Sequence, residues 1–226
     1  MGFLKKPATV VVFAREPVLG QVKTRLAAAV GPEGALLFYK AFVADLLAEL
    51  AQGTWHLQVA VSGDPQGFAK TFSLDPQTCF AQIDGDLGQR MEAVFTRVLA
   101  SGDYDRCHIV GSDLPQLPRA EVARAEAALA LGEADLVLGP ARDGGYYQIS
   151  LSRPQALFSE MAWSTPTVLA QTCARANVLG LRVALLAELF DIDTGEDLQD
   201  LQEWLEGAAP EKLPRTRAAF RQWASI

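Results

Sequence analysis

The sequence predicts an α/β protein built on a mostly parallel sheet with helices on both faces. Three observations carry that prediction. Strand-like and helix-like segments alternate along the whole chain. The first apolar run, Thr-Val-Val-Val-Phe at 9–13, is rich in β-branched residues and has no polar face, as a strand covered on both sides requires. Polar or glycine-bearing stretches follow the strand-like runs, and in open sheets of this kind ligands bind beyond the carboxyl ends of the strands.

After the first strand comes a loop over 15–25, marked by Pro17 and Gly20. Pro32 and Glu33 open a helix that runs to Leu50, with apolar Leu36, Leu37, Val43, Leu46 and Leu47 along it. A second strand spans 56–61 and ends at Ser62-Gly63-Asp64-Pro65. A short helix and a weak strand near Cys79 follow. From Leu87 a helix places Met91, Val94, Phe95, Val98 and Leu99 on one face. The next strand, 107–110, stops at Gly111-Ser112-Asp113-Leu114-Pro115. Pro118 starts a helix of Ala, Glu and Arg. Strands are expected at 135–138 and 146–151. A helix is expected at 166–175, where Ser164 or Thr165 can cap and Pro166 suits the first position. The stretch 181–186 is strand-like, 196–205 is helical, and a last helix ends near Trp223. No break in composition, repeat or low-complexity tract divides the chain, so 1–226 reads as a single domain.

Composition narrows the function. Of 226 residues, 50% are hydrophobic and 21% charged, which is a globular balance. The net charge of −7 speaks against general nucleic-acid binding and against anionic membrane surfaces. The three cysteines and two histidines form no ligand pattern, so neither a disulfide framework nor a zinc site is expected, and a reducing cytoplasm fits. Residues 1–6 carry no signal-peptide cleavage pattern, and the apolar run after them is too short to span a bilayer.

Five clusters could carry chemistry. The loop after the first strand holds Arg15, Gly20, Lys23 and Arg25. Glycine lets the backbone approach a ligand, and Lys and Arg grip phosphate oxygens. It is equally readable as a solvated loop, since neither GxxxxGK[ST] nor GxGxxG is present. Asp113, at the carboxyl end of a strand, is placed to hold Mg²⁺ or Mn²⁺ or to cap a turn. Asp191 and Asp193 share one face in extended chain, although Thr194 and Asp197 also read as a capping box with Asp193 in the turn. Asp143-Gly144-Gly145-Tyr146-Tyr147 suits a loop touching a ligand, or a tight turn with packed tyrosines. Gly85 and Arg90 flank a helix start that could bind an anion, with Asp86 as its N-cap. Trp163 could line a pocket or staple the next helix. His56 and His108 read as packing residues, and no GxSxG elbow exists.

Taken together, these motifs resemble a known family. Arg15-x-Pro17-x-x-Gly20-x-Val22-Lys23-Thr24-Arg25-Leu26 is similar to the first-strand loop of arsenosugar-biosynthesis-type glycosyltransferases, within the GT-A nucleotide-diphospho-sugar transferase superfamily. Gly85-Asp86-Leu87-Gly88-x-Arg90-Met91, Gly111-Ser112-Asp113-x-Pro115, Gly139-Pro140-x-x-Asp143-Gly144-Gly145-Tyr146-Tyr147, Trp163-Ser164-Thr165-Pro166 and Asp191-Ile192-Asp193-Thr194-x-Glu196-Asp197-Leu198 follow in the same order. The resemblance covers roughly 9–201. It departs at position 111, where Gly leaves Asp113 without a second aspartate, and at Arg15, where lysine is commoner in the family.

The resemblance implies a Rossmann-like GT-A sheet. It implies a metal-dependent transferase that takes a nucleotide-activated donor, foremost a nucleotide sugar, and a small-molecule acceptor. Arg15, Gly20, Lys23 and Arg25 would meet the donor phosphates. Asp113, Asp191 and Asp193 would hold Mg²⁺ or Mn²⁺. Gly85, Arg90, Gly144, Gly145, Tyr146 and Trp163 would shape the nucleotide or acceptor pocket. Asp113 and Asp143 are the candidate catalytic groups, with Asp143 as acceptor contact or base. Two alternatives stay open: a small-molecule nucleotidyltransferase, joining a nucleoside triphosphate to a phosphorylated acid or sugar, and a nucleotide-binding protein without turnover. Oligomeric state is not legible.

Overall fold

The computed structural model describes residues 6–225. Of the stretch 1–6 read as lacking a signal-peptide pattern, residues 1–5 lie outside them. The β-branched run forms β1 (Ala8–Arg15), and its alternate side chains feed two layers. Val10 and Val12 pack with Tyr39, Val43 and Leu46 on one face, while Val11 packs with Met91, Val94 and Phe95 on the other. Both faces of this strand are thus dry, which is why it has no polar side.

The next elements are α1 (Ala27–Leu50), β2 (His56–Ser62), α2 (Pro65–Phe72), β3 (Cys79–Ala81), α3 (Leu87–Ala100), β4 (Arg106–Gly111) and α4 (Arg119–Ala130). There follow β5 (Leu136–Pro140), β6 (Tyr146–Leu151), α5 (Val168–Val178), β7 (Val183–Leu185), α6 (Gly195–Gly207) and α7 (Pro214–Trp223). The seven strands make one sheet in the order β3-β2-β1-β4-β6-β5-β7. Pairings are parallel except for β6, which runs antiparallel to both β4 and β5. The fold is therefore α/β on a mostly parallel mixed sheet, with helices on both faces.

Some boundaries differ from the sequence reading for local reasons. The first helix begins near Ala27, not at Pro32, because a helical turn precedes Gly31, whose φ of 74° breaks the helix; Pro32 restarts it. The helix expected from Pro166 begins at Val168. Ser164 has a φ of 60°, and the Thr165 hydroxyl donates back to the Ala162 carbonyl, so neither caps it; Thr167 is the N-cap position, without a side-chain cap bond. The last strand narrows to Val183–Leu185. Asp86 and Thr194 do cap, each closing a box with the residue three further on. Among the described residues no helix is long and apolar enough to cross a membrane.

Candidate functional site

Three segments meet at the carboxyl ends of β1 and β4: the loop after β1, the turn after β4 and the stretch from β7 to α6. Backbone bonds do the positioning. The Ile192 N–H donates to the Asp113 carbonyl at 3.0 Å, and Gln116 Nε2 donates to the Phe190 carbonyl at 2.6 Å. Buried Ile192 anchors the stretch in the layer formed by α1, α6 and α7. Its neighbours Asp191 and Asp193 are thereby turned toward the cleft.

The Lys23 ammonium stands between two carboxylates, 2.5 Å from Asp113 Oδ1 and 2.9 Å from Asp193 Oδ1. Arg25 takes the other oxygen of Asp193. The Lys23 side chain is 3% exposed, whereas that of Arg25 is 69% exposed. Burial works against the lysine charge, yet Asp113 and Asp193 outweigh it and hold its pKa above the usual lysine value. Lys23 also has a φ of 49°, in the left-handed region that costs a side-chain-bearing residue roughly 1–2 kcal/mol. The ion pairs and the burial of neighbouring Val22 hold it there.

Around this triad the cleft opens into two adjoining cavities of about 610 and 680 Å³. They share a wall that includes Arg25, Asp113, Tyr146 and Asp193. The smaller, on the β1 side, is lined by Arg15, Lys23, Arg25 and Arg90. The larger, on the β6 side, is lined by Asp143, Gly145, Tyr146, Trp163 and Asp191. Asp143 Oδ1 accepts the Gly145 N–H at 2.8 Å, so the carboxylate shapes its own turn as well as facing the cavity. Burial, then the charges of Asp193 and Asp143, push the Asp191 carboxyl up to about 6. Asp193 feels the same burial, but Lys23 and Arg25 bring it below its ordinary value.

Gly20, Gly85 and Gly144 do not line either cavity. Gly144 acts through packing: its φ is 88°, a Cβ there would collide with the Pro166 carbonyl, and its own carbonyl accepts the Leu169 N–H at 3.0 Å. It clamps the β5–β6 turn onto the start of α5. Trp163 both walls the larger cavity and packs on Gly88 and Phe158. Arg90 Nε donates to the Gly85 carbonyl, leaving the rest of the guanidinium toward the smaller cavity.

Tyr39, Gln82 and Ser164 also line the cleft; Tyr39 has no functional signal in the sequence, and Ser164 is legible only through the Trp163-Ser164-Thr165-Pro166 motif. The Tyr39 hydroxyl accepts the Arg15 N–H and donates to the Arg15 carbonyl, fixing the start of the loop; burial pushes its pKa up to about 12. It lies on the apolar face of α1, where an aromatic reads as core. Gln82 gives its amide hydrogens to the Ala14 and Ala60 carbonyls, tying β1 to β2.

His108, by contrast, lies away from the cleft. It is fully buried and meets Glu126, which also accepts from Arg106. Burial holds its pKa below the ordinary histidine value. The cysteines are unpaired, and burial pushes the Cys107 thiol up.

The arrangement offers guanidinium groups to anionic oxygens on one side and hard carboxylate oxygens on the other. Among the described residues, no three His, Cys, Asp or Glu side chains converge as a ready ligand set. Asp113 and Asp193 nonetheless converge on a single cationic atom, and Asp143 and Asp191 add carboxylates that form no ion pair among the described residues. By charge and donor type, the Asp113 and Asp193 oxygens that meet Lys23 fit a hard divalent cation.

No curated protein matches the chain. Solved structures do. A provisionally named nucleotide-diphospho-sugar transferase from Desulfovibrio desulfuricans G20 superposes with a TM-score of 0.85 at 30% identity, covering 96% of this chain and 97% of its own. A cytidylyltransferase from Leptospira borgpetersenii serovar Hardjo-bovis shares the fold at a TM-score of 0.58 and 12% identity, covering 97% and 96%. Glucosyl-3-phosphoglycerate synthase from Mycobacterium tuberculosis, solved with Mn²⁺ and UDP, does so at 0.50 and 16%, covering 98% and 81%. The fold is that of the nucleotide-diphospho-sugar transferases. With residues 46–165 matched, more than half of its length, the chain belongs to the family described as "Uncharacterized protein conserved in bacteria (DUF2064)".

Proposed function

We propose that this protein is a metal-dependent transferase acting on a nucleotide-activated donor, foremost a nucleotide sugar, and a small-molecule acceptor. The observation that carries the reading is the divided cleft, with cations on the β1 side, carboxylates on the β6 side and Asp113 on the wall between them. Similarity to the Desulfovibrio protein supports the donor class. The arsenosugar-biosynthesis-type assignment, the single domain over 1–226 and a reducing cytoplasmic setting belong to the same proposal.

In this reading Arg15 and Arg25, with Lys23, hold the donor diphosphate, and Arg90 borders the nucleotide. Asp113, Asp191 and Asp193 would hold Mg²⁺ or Mn²⁺, which when bound neutralises charge on the leaving phosphate. Tyr146 and Trp163 form a wall for the acceptor. Asp143 accepts the proton of the acceptor hydroxyl, for which it must come within hydrogen-bond reach. Gly144 and Gly145 keep that carboxylate in place, while Gly20 and Gly85 supply the positive-φ turns on the donor side.

Phosphorus NMR of the protein with nucleotide sugars, nucleoside triphosphates and a panel of polyols and phosphorylated acids tests this. Release of a nucleoside diphosphate with Mg²⁺ is the expected result. Pyrophosphate release would assign nucleotidyl transfer instead, and nucleotide binding without any product would leave a binding protein.

A further inference from the structure

The lysine that the sequence offers to phosphate is held by the carboxylates offered to the metal. Lys23 Nζ lies within 2.9 Å of Oδ1 of both Asp113 and Asp193. Its side chain is only 3% exposed, so in this state it presents almost no surface to a ligand. A divalent cation shared by these two oxygens would need the position the ammonium fills. Two cations cannot occupy it together, because their repulsion in a partly desolvated site is large.

We propose that Lys23 is a built-in placeholder for the divalent cation: it neutralises Asp113 and Asp193 while the site lacks metal and leaves when metal binds. This rests on the reading of the cleft as a cation and nucleotide site. The side chain is what moves, since buried Val22 and the Ala27 N–H, which donates to the Lys23 carbonyl at 2.9 Å, keep the backbone anchored. Lys23 has a positive φ that its ion pairs help to hold, and Gly20, exposed at a φ of 74°, lies three residues before it. Thr24 and Arg25 are exposed, so no packed side chain follows Lys23 until Leu26. Displaced from the carboxylates, the ammonium stays on the β1 side of the cleft, which is also lined by Arg15 and Arg90. Metal entry and delivery of a cation to the donor side thereby become one event. Binding of metal and of nucleoside diphosphate must then favour each other reciprocally.

The test uses Mn²⁺ alone, followed by electron paramagnetic resonance of the free ion, on the full chain and on Lys23→Met. Removing the placeholder is expected to tighten Mn²⁺ binding at least tenfold. Because that variant leaves Asp113 without its cation and Asp193 with Arg25 alone, and could fail to fold, the unmodified chain is also labelled with an amine-acetylating reagent and read by mass spectrometry. Lys23 is expected to be protected without metal and to become at least fivefold more reactive as Mg²⁺ saturates the site, while exposed Lys40 and Lys70 stay constant. Unchanged Mn²⁺ affinity in a folded Lys23→Met, or a Lys23 that stays protected in metal-loaded protein, overturns the placeholder and leaves the metal site standing. No Mn²⁺ binding by the chain, with or without UDP or GDP, overturns both.

Discussion

The two sides of the cleft manage charge in opposite ways. On the β1 side every carboxylate oxygen that faces a cation is paired: Lys23 meets Asp113 and Asp193, and Arg25 meets Asp193. On the β6 side Asp143 and Asp191 line the cavity with no ion pair among the described residues. Asp191 and Asp193 are two residues apart and comparably buried, yet their pKa values move in opposite directions. Burial is the same penalty for both. The difference is which cations lie within reach, and that is set by a loop about 170 residues earlier in the chain.

The most disruptive way to break the comparison is Asp193→Asn. It strips Lys23 of one partner and Arg25 of its one ion-pair partner among the described residues. A stability loss of about 3 kcal/mol is expected in denaturant unfolding, at the low end for a broken buried pair because Asp113 still faces the lysine. On the other side, Gly144→Ala should cost about 2 kcal/mol by the same assay, since the added methyl meets the Pro166 carbonyl at a positive φ. Asp191→Asn should do the reverse of Asp193→Asn and stabilise at pH 7 by about 1 kcal/mol, because it removes a charge that burial and two neighbouring carboxylates oppose.

The pH dependence sharpens the contrast with smaller effects. Asp191 binds its proton more tightly in the folded state, so its contribution favours folding below about pH 4 and is lost as pH rises toward 6. Asp193 is the opposite case: its contribution is present above its unfolded pKa and is lost as pH falls through the lowered folded value. Melting curves between pH 4 and 7 should therefore show Asp191→Asn losing less Tm than the parent as pH rises. A parent and variant with parallel curves would mean that Asp191 titrates normally.

How legible this was depends on distance along the chain. The alternation of apolar strands with amphipathic helices announced the sheet, and Asp113, Asp143 and Asp191 were readable because each ends or follows a strand. The antiparallel β6 was not, since its apolar sequence is equally suited to either direction; only the short Ala141–Gly145 connection hints at it. Tyr39 reads as core because it lies among apolar helix residues, and its hydroxyl bonds to Arg15 are a tertiary fact. The partners of Lys23 were least legible. Residue type offers phosphate and carboxylate equally, and the choice is made by the backbone bond from Ile192 to Asp113 that brings Asp193 alongside.

The central claim is that the paired side and the unpaired side form one site for a nucleoside diphosphate and a divalent cation. Isothermal titration of UDP, GDP, ADP, CDP and dTDP, each with and without Mn²⁺, tests it most directly. At least one of them should bind at least tenfold more tightly with Mn²⁺ present, and Asp113→Ala should abolish the difference. Equal affinity with and without metal for every nucleotide, or no binding at millimolar concentration, would contradict it.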